Sequence, residues 1–290
     1  MPILRTLLGS AIDYAGLFPP ASHAMSAAIR EYAQILESED HWALGRFVIP
    51  AAKLGDFREL KGGAWKLAAI AGNELGRDIE SIGKFNAHQD GATVDTVEFR
   101  AITPDALRDA IGQVPGGLHR YAEWPLAADP GPFVAAVREM GVHAKFRTGG
   151  IVEDAFPEAN MLLGHLAAVI EAGVPFKCTA GLHHPVRGQY RFTYDRSSAQ
   201  GKMYGFLNVM LAAASLQKGL GLEAARSVLL EEDPGAFHIG DSAIECHKIS
   251  FDGKDLERLR SSGFESFGSC SFRDPVDELK TLSRLVTRDS

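Results

Sequence analysis

Two lysines in otherwise apolar segments are the residues of this 290-residue sequence best suited to chemistry. Lys145 and Lys177 each stand just before a threonine and a glycine. Burying an ammonium group is costly unless the group has a partner or a task. A lysine amine attacks a carbonyl group only when neutral, and desolvation or a nearby cation lowers its pKa. We therefore predict that both lysines belong to one site, either as a nucleophile and its neighbour or as ligands of an anion.

Further polar residues follow the two-residue alternation that places side chains on one face of a strand. Asp13, Glu98 and Glu123 are predicted to carry protons for a lysine nucleophile. The predicted substrate-binding residues are Arg147, His183, His184, Arg46, Tyr14, Ser269 and Ser271. Because nearly all of these positions fall in the C-terminal half of a predicted strand, we expect them to meet at one end of the sheet.

Short strands alternate with helices along the chain, which indicates a parallel sheet covered by helices. The first strand is predicted over residues 11–17, the sixth over 143–148, the seventh over 175–180 and the last over 267–272. About eight such units favour a closed (β/α)8 barrel. An open doubly wound sheet is the alternative, although no glycine-rich dinucleotide loop follows the first strand.

The barrel is predicted to form a single domain over residues 1–290. Residues 221–263 do not fit one strand–helix unit, because a helical stretch is followed by an alternating pattern typical of a hairpin. We predict that this helix and hairpin are inserted before the last strand.

The same segments resemble the deoxyribose-phosphate aldolases, which are class I aldolases with a (β/α)8 barrel. Ile12-Asp-Tyr-Ala-Gly-Leu resembles their Ile-Asp-His-Thr-x-Leu on the first strand. Lys145-Phe-Arg-Thr-Gly resembles their Lys-Thr-Ser-Thr-Gly, and Lys177-Cys-Thr-Ala-Gly-Leu resembles their Lys-Ala-x-Gly-Gly-Ile. The resemblance implies that Lys145 forms a Schiff base and that Lys177 lowers its pKa.

The resemblance covers short pieces of the chain and departs from the family at several positions. The family's acidic residue lies in an Asp-x-Val segment, which Asp95-Thr-Val matches, but Asp95 begins its predicted strand and Glu98 is better placed. Arg147 replaces a small residue, and His183 and His184 stand where the family's phosphate loop leads. A sugar phosphate is therefore not the expected substrate.

We predict an enzyme that acts on a carbonyl-bearing anionic small molecule, first of all a carbon–carbon lyase or aldolase with a strand lysine as its Schiff-base amine. The second candidate is a metal-dependent hydrolase or isomerase that uses His183 and His184 with Glu98 and Glu123, although no HxH, HExxH or CxxC spacing is present. The third is a non-catalytic anion-binding barrel. The first prediction includes no cofactor and no metal.

The composition, 46% hydrophobic and 23% charged, is typical of a soluble globular protein. A net charge of -7 argues against nucleic-acid and anionic-membrane partners. Three widely spaced cysteines do not form a disulfide framework, and no signal peptide or membrane span is evident, so we expect a cytoplasmic protein. A helix over 203–216 is apolar nearly all round, and either packs on the barrel or forms a homodimer interface.

Overall fold

A computed structural model of the chain describes residues 2–60, 63–88 and 91–286. The strands, in chain order, are β1 (Ile12–Tyr14), β2 (Leu44–Pro50), β3 (Lys66–Ile70), β4 (Thr93–Arg100), β5 (His119–Glu123), β6 (His143–Arg147), β7 (Phe176–Thr179), β8 (Gly188–Arg191), β9 (Gln200–Met203), β10 (Phe237–Ile239), β11 (Ala243–Cys246), β12 (Ile249–Asp252) and β13 (Phe264–Ser269). The helices are α1 (Pro2–Leu8), α2 (Met25–Leu36), α3 (Leu54–Glu59), α4 (Leu75–Ala87), α5 (Pro104–Gln113), α6 (Pro130–Glu139), α7 (Ala159–Glu171), α8 (Phe206–Gln217), α9 (Gly221–Leu230), α10 (Gly253–Ser262) and α11 (Arg273–Val286).

Within the described residues, eight parallel strands close into a barrel flanked by helices, which confirms the predicted (β/α)8 fold. The strand order around the barrel is β1-β13-β7-β6-β5-β4-β3-β2, and β1 closes it by pairing with both β2 and β13. Lys145 of β6 lies directly beside Lys177 of β7 in the strand register. The barrel therefore brings the two predicted site lysines side by side.

Aromatic residues next to the lysines determine which way the lysines point. The ring of Phe146 lies 5.6 Å from that of Phe176, which lies 5.3 Å from Phe264 on β13. All three rings are fully buried in the core. Because successive side chains of a strand point to opposite faces, packing these rings on one side directs Lys145 and Lys177 to the other.

The ends of two barrel strands differ from the prediction. The first strand covers only Ile12–Tyr14, and the last is Phe264–Ser269 rather than 267–272. Phe272, the last residue of the predicted strand, is buried where the chain turns into α11. As a consequence, Ser271 lies beyond the last strand.

The region between β7 and β13 contains more structure than the predicted helix and hairpin. The loop after β7 forms the antiparallel pair β8 and β9. After α9, the strands β10, β11 and β12 make a three-stranded antiparallel sheet, and α10 then leads into β13. The predicted hairpin is thus part of a three-stranded sheet, because Ile249 and Phe251 continue the alternation by one further strand.

The apolar helix α8 is covered by the chain itself. Every residue from Phe206 to Ser215 is buried, and α8 packs against α7, α9 and α10. These contacts within the chain account for the apolar composition of α8, and the homodimer stays a prediction. None of the helices in the described part of the chain has the length and apolarity needed to cross a membrane.

Candidate active site

A cavity of about 960 Å³ opens where the barrel strands end. The residues that line it lie at or just after the C-terminal ends of several barrel strands, including Ala71, Arg100, Arg147, Thr179 and Gly268. This end is where active sites of (β/α)8 barrels are built. Lys145, Lys177, Glu98 and Glu123 line the same cavity, so four of the five predicted catalytic residues meet there.

The carboxylate of Glu98 joins the two lysines. Its Oε2 lies 2.8 Å from Lys145 Nζ, and its Oε1 accepts a 2.7 Å hydrogen bond from Lys177 Nζ. Lys145 also pairs with Glu123 at 2.9 Å, and Lys177 with Asp13 at 2.5 Å. All five side chains are buried. The result is a chain of alternating charges across the barrel interior, in which each ammonium group has two carboxylate partners.

Asp13 holds the far end of this chain in place. Its Oδ2 accepts a 2.7 Å hydrogen bond from the Ser266 hydroxyl, and its Oδ1 accepts one of 2.8 Å from the backbone N–H of Arg46. The ammonium group of Lys177 also lies 5.2 Å from the centre of the Tyr121 ring, a favourable cation–π distance. Lys177 is therefore fixed by an acid on each side and an aromatic ring.

The neighbouring charges shift the pKa values of Glu98, Glu123 and Lys177 toward their ionised forms. Burial alone would raise the pKa of Glu98 and Glu123, but Lys145 and the neighbouring cations lower both to about 2. Burial alone would lower the pKa of Lys177, but Asp13 and Glu98 raise it above its ordinary value. For Lys177 the nearby carboxylates outweigh burial. Which of the two lysines acts as the nucleophile stays a prediction.

Two arginines extend the cluster to the cavity mouth. Arg147 Nε donates a 3.0 Å hydrogen bond to Glu123 Oε1, and Arg100 lies 3.3 Å from the same oxygen. Both arginine side chains are exposed to solvent. A guanidinium group has several N–H donors, so the contact with Glu123 does not exhaust them. The mouth of the cavity can therefore accept an anionic group.

The glycines of the two lysine motifs bring their loops into close contact. Thr148 donates a 2.7 Å hydrogen bond to the carbonyl of Ala180, which ties the end of β6 to the end of β7. A Cβ atom on Gly149 would lie 2.4 Å from the ring of Phe156, and one on Gly181 would lie 2.8 Å from it. The shared Thr and Gly positions are thus explained by loop packing beside the cavity.

The adjacent histidines have separate surroundings. His183 lines the cavity and its Nδ1 lies 3.1 Å from Ser269 Oγ, which itself donates to the Ser271 carbonyl. Ser269 therefore accepts from His183, and burial lowers the pKa of this ring to about 4, so it is neutral. His184 instead pairs with Glu278 at 2.8 Å and stacks on Tyr190.

Other predicted substrate-binding residues lie elsewhere. Arg46 makes two hydrogen bonds to Asp95, at 2.6 and 3.1 Å, in the first half of its strand. The Tyr14 hydroxyl donates to Glu31 of α2 at 2.6 Å, on the outer side of the barrel. The expectation that these two side chains face the mouth is wrong, because Arg46 lies too early in β2 and Tyr14 points opposite to Asp13.

Sequence reasoning missed Ser266 and gave no role to Arg100. The predicted last strand begins three residues after the observed one, so Ser266 falls outside the prediction. In the structure, Ser266 lies two residues before Gly268 and therefore shares its face of the strand. Cys270 also lines the cavity, and burial raises the pKa of its thiol. All three cysteines are free and buried.

In the described parts of the chain, no group of three or more His, Cys, Asp or Glu side chains is arranged to hold a metal ion. His183 lines the cavity but contacts Ser269, and His184 pairs with Glu278. Glu98 and Glu123 are paired with lysines and arginines. The metal-dependent alternative therefore has no assembled ligand set among these residues.

Fold and site together define a (β/α)8 barrel with a buried lysine pair at the bottom of its C-terminal cavity. No protein-family model matches the chain, and comparison with curated proteins and with solved structures gave no match. Functional inference consequently starts from the geometry of this site.

Proposed function

We propose that this protein is a carbon–carbon lyase that binds a small anionic carbonyl compound as a Schiff base on Lys145. The observation that carries the proposal is the carboxylate of Glu98, which lies between two buried lysines in a cavity at the catalytic end of a barrel. An amine, a second ammonium group and carboxylates within hydrogen-bond distance supply the nucleophile, acid and bases that such chemistry needs.

Lys145 is better suited than Lys177 to act as the nucleophile. Lys177 lies between Asp13 and Glu98, and these carboxylates raise its pKa, so it stays protonated. Lys145 pairs instead with Glu123, which is also held by the arginines at the mouth. An incoming anion would compete for these arginines and loosen the carboxylate that holds Lys145.

The proton transfers can be assigned to residues in contact. Lys145 must first lose a proton, and Glu98 and Glu123 lie 2.8 and 2.9 Å from its nitrogen. Its cationic charge is the main influence that lowers the pKa of both acids, so they become stronger bases as that charge moves away. The amine then bonds to the carbonyl carbon, and the carbonyl oxygen receives one proton from the attacking nitrogen and a second from Lys177. The oxygen leaves as water, and the nitrogen becomes doubly bonded to the carbon as an iminium.

The resulting iminium accepts the electron pair of the bond between the second and third carbons of the substrate, where the former carbonyl carbon is counted as the first. The proton of the hydroxyl group on the third carbon passes to a carboxylate of the cluster, and the aldehyde or ketone formed there departs. Protonation of the enamine and addition of water release the second product and restore Lys145. Electrons and protons balance without an added oxidant or reductant.

Trapping with borohydride tests the proposal directly. Incubation with ethanal or pyruvate followed by reduction should leave a stable adduct on Lys145, located by peptide mass mapping. Lys145→Arg keeps a positive charge between Glu98 and Glu123 but has no primary amine, so it should give no adduct there. Lys53→Met, at an exposed position outside the cavity, should trap as the wild type does.

Absence of an adduct on both Lys145 and Lys177 would contradict the lyase and favour the anion-binding alternative. An adduct on Lys177 alone would reverse the assignment of the two lysines. Lys177→Met is expected to slow trapping on Lys145, since the proton donor to the carbonyl oxygen is lost.

A further inference from the structure

One side of the cavity is lined by many apolar side chains. It is formed at the ends of the first four barrel strands and along α5, by residues that include Ala15, Phe18, Val48, Ile70, Phe99 and Ala106. The cavity volume of about 960 Å³ lies near the upper end of the roughly 300–1,000 Å³ found for ligand pockets. A substrate that reached only the lysines would leave this side filled with water.

Two large apolar side chains at the rim are exposed to solvent. Ile102, in the loop after β4, is 74% exposed, and Ile151, in the loop after β6, is 44% exposed. Both line the same cavity. Single exposed apolar residues are ordinary, but two at the mouth of one apolar-walled cavity would be removed from water by an apolar ligand.

We propose that the substrate of the lysine pair carries an apolar chain or ring that lies along this side of the cavity while its carbonyl group reaches Lys145. The inference rests on the proposed function and specifies its substrate class as anionic carbonyl compounds that carry a hydrophobic chain or ring. A polyhydroxylated substrate would bury hydroxyl groups against alkyl side chains and lose their bonds to water. The polar residues that line this side, Asn73, Arg100, Asp109 and Gln113, are themselves exposed to solvent.

A homologous series of straight-chain aldehydes tests the proposal. The concentration of ethanal, butanal, hexanal and octanal that gives half-maximal borohydride trapping on Lys145 should fall by roughly two- to fourfold for each added methylene group. Glyceraldehyde 3-phosphate should require a higher concentration than octanal. Equal half-saturation across the aldehyde series would overturn the proposal and leave the lyase function intact.

Substitutions at exposed positions link the effect to the apolar side. Ile102→Ser should raise the half-saturation concentration of octanal several-fold, and its exposure means that the fold is not at risk. Leu222→Ser is the matched control, because Leu222 is 55% exposed on α9, outside the cavity lining. Equal effects of the two substitutions would contradict the proposal.

Calorimetry with straight-chain carboxylates separates the two proposals, since these compounds form no imine. Octanoate should bind more tightly than butanoate by at least tenfold, and Ile102→Ser should reduce this ratio. If no aldehyde labels either lysine while this ratio is observed, the lyase function fails and the apolar subsite stands. If butanoate and octanoate bind equally, the apolar subsite fails.

Discussion

At the scale of single residues, the site is a balance of buried charges that stability alone does not explain. Asp13, Glu98 and Glu123 face Lys145 and Lys177, and the five groups are buried. Apolar residues of similar volume commonly stabilise a fold as well as or better than a buried ion pair. A barrel interior filled with ionised groups is therefore better explained by binding or catalysis, in agreement with the proposed Schiff-base chemistry.

Replacing Glu98 by Gln is expected to destabilise the fold by about 3–5 kcal/mol at pH 7. The amide accepts from one lysine with its oxygen but turns its nitrogen toward the other ammonium group, which loses a partner while buried. Urea unfolding at constant pH measures the change. Glu80→Gln, which removes an exposed pair with Lys84 at 3.9 Å, should change the free energy of unfolding by less than about 1 kcal/mol.

The same variant has a distinct acid response. The pKa of Glu98 and of Glu123 is lowered from an ordinary 4.5 to about 2. Stability from these acids is present above pH 4.5 and is lost as the pH falls toward 2, because the unfolded chain binds protons first. The difference between wild type and Glu98→Gln should therefore shrink over this range. A difference that stays constant from pH 7 to pH 3 would contradict ionised Glu98.

At the scale of elements, the sequence was most informative where strands are fully buried. The predicted sixth and seventh strands, 143–148 and 175–180, agree with His143–Arg147 and Phe176–Thr179 to within one residue at each end. Flanking aromatic residues and the two-residue alternation determine them. The first and last strands were less well predicted, because apolar residues continue past their ends into loops and α11 and carry no signal for where strand pairing stops.

The loop contact between β6 and β7 should depend on Gly181. This residue has φ +76°, and an added Cβ would lie 2.8 Å from Phe156 and 2.9 Å from the Cα of Gly149. Gly181→Ala is therefore expected to lower the free energy of unfolding by about 1–3 kcal/mol, measured by urea unfolding. Trapping on the lysines should also slow, since the contact holds the ends of both lysine-bearing strands.

Gly164→Ala provides the control in the same strand–helix unit. Gly164 lies in α7, where an added Cβ meets no atom within 4 Å, so alanine should stabilise the protein by about 0.5–1 kcal/mol. If Gly181→Ala is as stable as Gly164→Ala, the close approach of the two loops would be refuted.

At the scale of the whole molecule, the site unites residues that the chain keeps far apart. Asp13 bonds to Ser266, 253 positions later, and to Lys177, 164 positions later. The types of these residues and the strand faces of most of them can be predicted from the sequence, but only closure of the barrel decides which acid meets which lysine. For this reason the sequence alone left open whether Lys177 is neutral, and the structure shows it between two carboxylates.

Asn208 connects distant parts of the molecule through a buried amide. Its Oδ1 accepts a 2.7 Å hydrogen bond from the backbone N–H of Arg187, and its Nδ2 donates to the carbonyls of Val228 and Glu231, both at 2.8 Å. The amide thus links α8 to the loop after β7 and to the end of α9. The sequence showed a polar residue in an apolar helix, but its partners are set by the tertiary fold.

Replacing Asn208 by Ala should leave one N–H and two carbonyl groups without this partner, and lower the free energy of unfolding by about 2–4 kcal/mol. Asn208→Asp should be equally damaging, because a carboxylate keeps the acceptor and places negative charge against both carbonyls. Asn160→Ala, which removes an exposed 3.3 Å contact with Arg226, should cost less than about 1 kcal/mol. Urea unfolding of the three variants measures these differences. Comparable stability of Asn208→Ala and Asn160→Ala would mean that α8 is held by its apolar packing alone, and that the loop after β7 is fixed by other contacts.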